Sequence, residues 1–149
     1  MSVRLLVFFL IGTGAGALIT VQSVLNAALG KRTGSLGSVL LLTLVSIALL
    51  IPLVLLIPGT ADLRQLPGPS QWYLYAGGLL GIAILATPIV LVPRIGATAT
   101  LTALVAGQLT LAVVVDHFGV LGVPRAEITA TKVLGLALLV GGALLVTRR

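Results

Sequence analysis

Apolar residues in this chain fall into five runs of membrane-spanning length, and charged residues collect in the short stretches between them. Because about 20 apolar residues in helical form cross a bilayer, the runs predict helices over about 5–29, 36–58, 71–93, 95–115 and 128–147. The polar residues kept inside these runs are few. The run from Ile95 to Gly119 holds Thr98, Thr100, Thr102, Gln108 and Thr110, and stops at Asp116, His117, Phe118 and Gly119. Gln108 lies near its middle. An amide in hydrocarbon costs several kcal/mol without a partner, roughly the price of a lost hydrogen bond or more, so it must face another helix or a wet cavity. Span one carries Gln22 and Asn26, four apart and therefore on neighbouring positions of one face. This stripe either lines a cavity or makes interhelical hydrogen bonds. Span two carries Thr43 and Ser46, which can also bond back to their own helix.

Glycines and prolines shape the same runs. Gly12 with Gly16, Gly77 with Gly81, and Ala137 with Gly141 are small pairs four apart, which permit close helix approach. Pro52 and Pro88 fall inside spans two and three and are expected to kink or break them. Trp72, Tyr73 and Tyr75 at the start of span three read as an interfacial belt or as rings at a cavity mouth. The loops left over are too short for a soluble domain, so residues 1–149 read as a single all-α transmembrane domain. The apolar run after Arg4 outlasts a signal sequence and reads as a retained first span.

Composition agrees with this pattern. Of 149 residues, 58% are hydrophobic and 8% charged, with a mean hydropathy of +1.25, which no soluble domain of this size could keep from water. The net charge of +6 does not indicate nucleic acid, since Lys and Arg stand singly or in pairs at span ends. There is no cysteine. No nucleophile–base set, phosphate loop or metal cluster can be assembled, so neither enzyme activity nor a metal or cofactor is expected. His117 reads as an interfacial histidine, with a functional role as the alternative. Asp116 is expected to pair with Arg125 or Lys132 at the end of span four, or else to relay a proton or cation at a cavity mouth. Asp62, Asp116 and Glu127 are the only acids, and none lies at mid-membrane.

Charge also bears on orientation. Counting spans puts Arg4, Arg64, Arg125 and Lys132 on one side, and Lys31, Arg32, Arg94, Arg148 and Arg149 on the other. Lys/Arg bias normally sets orientation, and four against five leaves it unset. Two oppositely oriented copies could then pair about an axis in the membrane plane, as inverted repeats do within single transporters. This predicts an antiparallel homodimer, with Ala137, Gly141 and Gly142 of the last span as the contact. Using a rise of about 1.5 Å per residue, Gln108 lies roughly 5 Å and Gln22 roughly 7 Å from the middle of their spans, in opposite halves of one copy. Inversion of a partner brings them to one level.

Several features together resemble the YdcZ-type small membrane proteins, five-span relatives of the drug/metabolite transporter superfamily. They are the glycine-rich first span leading to Gln22 and Asn26, Gly107–Gln108, the pattern Asp116, Phe118, Gly119, and Gly135 with Gly141 and Gly142. The resemblance implies a transporter of antiparallel five-span units in a prokaryotic plasma (inner) membrane, with no substrate specified. The four-span multidrug exporters of that superfamily carry a first-span glutamate, which is absent here. The expected function is a secondary transporter or exporter of a small metabolite or amphiphile. Its cavity would use Gln22, Asn26, Gln108, Thr100, Thr43 and Ser46, with Asp116, Arg125, Lys132, Trp72 and Tyr73 at its mouth. The alternatives are a dual-topology channel and a non-transporting scaffold. The partners expected are a second copy, membrane lipids and a small solute.

Overall fold

The computed structural model describes residues 3–147. Met1 and Ser2, which precede the first span, and Arg148 and Arg149, which enter the charge count, lie outside them. Five α-helices follow one another: α1 Val3–Thr33, α2 Ser35–Leu56, α3 Ala76–Ile95, α4 Ala97–Phe118 and α5 Ala130–Thr147. A 3-10 turn over Pro69–Tyr75 leads into α3. All five helices, with that turn counted into α3, are long and apolar enough to cross a membrane. The chain divides into two compact units, Met1–Pro93 and Arg94–Arg149.

In the first unit, Gly34 alone separates α1 from α2. Its φ of 73° and ψ of 165° lie where only glycine is comfortable. Burial is concentrated beside this corner. Ser23, Asn26 and Ala27 of α1 and Ser38 and Val39 of α2 are buried, together with Pro88 and Ile89 of α3. Ser23, Asn26, Ala27 and Gly30 are spaced as one helical face. Gly30 lies so close to Ile89 that a β-carbon there would collide with the Ile89 side chain. Most of α1 before Ser23, including Phe8 and Phe9, is exposed, as suits a surface solvated by lipid.

None of the interior prolines, Pro52, Pro88 and Pro93, breaks its helix. α2 runs through Pro52 to Leu56, and α3 runs through Pro88 to Ile95. A proline removes one backbone hydrogen bond, and membrane helices tolerate that loss when neighbouring groups compensate. Beside Pro88, the Thr87 hydroxyl donates to the Ala83 carbonyl at 2.8 Å. α3 continues to Ile95, two residues past the expected end of span three, and Gly96, with φ 84° and ψ 161°, is the whole break before α4.

In the second unit, α4 and α5 pack along matching stripes. Toward one end Ala99, Thr102 and Ala106 line one groove with Val140, Ala143 and Thr147. Toward the other, Leu109, Val113 and Asp116 line a second groove with Lys132, Leu136 and Leu139. Steps of three and four residues keep each stripe on one face. The connecting loop is drawn tightly back. Gly119, left-handed at φ 62° and ψ 39°, donates its N–H to the Val115 carbonyl at 2.9 Å, a glycine stop that satisfies an orphan carbonyl. The Ala126 N–H donates to the Asp116 carbonyl at 2.8 Å. The Arg125 Nε–H donates to the His117 carbonyl at 3.2 Å.

Candidate functional site

The polar residues of the spans separate into three environments. In the first, hydroxyls are consumed by their own helix. Thr43 donates to the Val39 carbonyl and Ser46 to the Leu42 carbonyl, each at 2.9 Å. Thr100 donates to the Gly96 carbonyl at 2.8 Å and is 0% exposed. Such back-bonding supplies the proton locally and leaves only lone pairs for anything else. Thr43 also borders a groove of about 450 Å³ between α2 and α3, lined by Leu40, Gly78, Gly81 and Leu85 among others.

In the second environment, polar groups are buried near the Gly34 corner. Asn26 and Ser23 are each 4% exposed and Ser38 is 0% exposed. The Ser38 hydroxyl donates to the Asn26 carbonyl at 3.3 Å, which ties α2 to α1. The Asn26 amide and the Ser23 hydroxyl have no hydrogen-bond partner among the described residues. Ser23 and Ser38 were not singled out by the sequence pattern. Their signal was positional: Ser38 follows the corner glycine by four residues, and Ser23 precedes Asn26 by three.

In the third environment, Gln22 and Gln108 are exposed, and neither amide has a partner among the described residues. Gln22 and Asn26 therefore do not act as one stripe. Asn26 turns into the packed corner, whereas Gln22 lies off the face formed by Ser23, Asn26, Ala27 and Gly30 and is exposed.

The rim residues are also accounted for. Asp116 and Lys132 are half-buried at the same end of the α4–α5 seam, and Arg125 is exposed. No ion pair joins Asp116 to Arg125 or Lys132 among the described residues. The loop is closed by backbone carbonyls instead, with Arg125 spending its Nε–H on His117. Trp72 and Tyr73 are exposed in the turn before α3. Tyr75 next to them donates its hydroxyl to the Pro67 carbonyl at 3.0 Å, which fastens the loop to the helix start. On α5, Ala137, Gly141 and Gly142 border a shallow groove of about 520 Å³, with Leu138, Leu144 and Leu145. Gly141 and Gly142 have open space where a β-carbon would sit.

Residues 7–145 match the family model described as "Putative inner membrane exporter, YdcZ". The chain is 33% identical over 150 aligned residues to the inner membrane protein YdcZ of Escherichia coli (strain K12), covering 100% of this chain and 99% of that protein. No solved structure matches. Nearly end-to-end agreement, with five helices fit to cross a membrane, places the protein in the inner membrane, and the chain belongs to the YdcZ family of inner membrane exporters.

Proposed function

We propose that the protein is a secondary transporter that exports a small uncharged or amphiphilic solute through a cavity between two antiparallel copies, with all five spans of each copy acting as one domain. The observation that carries this reading is the pair of exposed, unpartnered amides on Gln22 and Gln108. In hydrocarbon each would cost several kcal/mol, so each needs a partner from a second copy, a solute or cavity water. The absence of any acid near the middle of the spans suits a solute bound by hydrogen bonds, not by charge. Asn26, buried with its amide unspent, can add to such a site, and Thr43 and Ser46 can offer lone pairs. The open groove at Gly141 and Gly142 supports α5 as the contact between copies, because small residues let two backbones approach.

The lack of native cysteine makes a direct test clean. Two differently tagged chains, one with Gln22→Cys and one with Gln108→Cys, are co-expressed and oxidised in membranes. A cross-linked heterodimer carrying both tags is the expected result. Cross-linking no stronger than between cysteines placed on the lipid-facing start of α1, as with Phe9→Cys, overturns the arrangement. In liposomes a carrier gives saturable flux and counterflow, a channel gives conductive unsaturated flux, and a scaffold gives neither.

A further inference from the structure

The end of the α4–α5 hairpin holds a second, polar feature that the transport reading does not use. A cavity of about 380 Å³ is lined by His117, Arg125, Ala126 and Glu127. His117 packs edge-on against Phe118, with ring centroids 5.1 Å apart. Its Nδ1 is buried without a hydrogen-bond partner. A buried polar atom left unsatisfied calls for a ligand, an ion or a water. Arg125 spends only its Nε–H on the fold, so both terminal amino groups of the guanidinium remain available. The Glu127 carboxylate is exposed and has no partner among the described residues.

A second cavity begins at the same end. It is a groove of about 270 Å³ along the α4–α5 seam, mostly apolar, with Asp116 and Lys132 at its polar end and Gly135 in its wall. Polar cavity and apolar groove therefore adjoin one helix end, where the apolar run gives way to loop. The charges around them are Arg125 and Lys132 against Asp116 and Glu127, two of each sign. A site for an anionic lipid would be net basic. A balanced set, with a guanidinium suited to phosphate and carboxylates suited to an ammonium, fits a ligand that carries both charges.

We propose that this helix end binds a zwitterion in which a phosphate is joined by a short link to a primary ammonium. Arg125 meets the phosphate, Glu127 meets the ammonium, and the groove takes an acyl chain. The same head chemistry occurs in a phosphatidylethanolamine headgroup and in free phosphoethanolamine, and the adjoining groove favours the lipid.

Thermal unfolding of the purified protein in detergent tests the assignment. The additives are short-chain phosphatidylethanolamine, phosphatidylcholine and phosphatidylglycerol with the same acyl chains, and O-phosphoethanolamine alone. Phosphatidylethanolamine is expected to raise the midpoint by several degrees more than either other lipid, because trimethylation removes the ammonium donors. Glu127→Gln, at an exposed position outside the helices, should erase its advantage over phosphatidylcholine. Gly135→Leu fills the groove where a β-carbon meets nothing within 4 Å. It should weaken the lipid effect and spare any effect of phosphoethanolamine. A full shift from phosphoethanolamine alone supports the site with a free solute as its ligand, and a shift only from the lipid supports it with the headgroup as ligand. Equal stabilisation by all three lipids, or a preference that survives Glu127→Gln, overturns the proposal.

Discussion

Gly30 shows how a single missing β-carbon positions the first unit. Ile89 occupies the space that any other residue at 30 would need. Gly30→Ala should destabilise the protein by about 1–3 kcal/mol, the usual cost of overpacking a fitted contact. Adding Ile89→Ala should recover part of that loss, since it removes the colliding branch. Thermal unfolding of the two single variants and the double variant measures the coupling, and additive losses would mean that the contact is not made. At this scale the residue types were legible and their directions were not. Gln22 and Asn26 have the same amide and near-identical helical placement, yet one is exposed and the other 4% exposed. What separates them is which side of α1 meets its neighbours, since Ser23 beside Gln22 is also buried, a property of tertiary packing. Likewise Thr43, Ser46 and Thr100 carry the hydroxyls expected of a cavity, and each gives its proton to its own helix. Replacing Gln108 by Leu removes the cost of an amide facing hydrocarbon without changing volume much. Yield should therefore be unchanged or higher, while saturable flux in liposomes is lost.

Among the elements, the corners decide most. Gly34 and Gly96 share nearly the same backbone conformation. The residue four positions after each, Ser38 and Thr100, is completely buried and donates its N–H to the corner carbonyl. A positive φ with ψ near 160° is essentially confined to glycine, and holding a residue with a β-carbon there costs about 1–3 kcal/mol. Gly34→Ala and Gly96→Ala should each lower the unfolding midpoint accordingly, whereas Gly77→Ala, which has open space and no positive φ, should not. The helices themselves were legible because apolar runs of this length leave little else possible. Their ends and continuity were less so. Pro52 and Pro88 read as breaks, yet both helices run on through them, and the aromatic start of span three proved to be a 3-10 turn.

For the whole molecule, five spans and inner membrane residence follow from composition and family, and orientation rests on the Lys/Arg balance. If both orientations are made, C-terminal reporters active on only one side of the membrane should both give signal at comparable levels. Adding two or three lysines to one terminus should force one orientation and abolish transport, and a co-expressed copy biased the other way should restore it. A single dominant orientation with full transport would exclude the antiparallel pair.

The glycine corners add a kinetic consequence. Gly34 is preceded by Lys31 and Arg32, and Gly96 by Arg94. By span count both corners face the same side. With one residue between consecutive helices, neither corner has slack to be threaded back, and each would drag cations through hydrocarbon at several kcal/mol apiece. A chain that has entered the bilayer is thus committed to its orientation for life. Whatever mixture of orientations a cell contains is then a frozen record of choices made at the translocon. Its ratio can be changed during synthesis, but not by any solute or voltage applied afterwards.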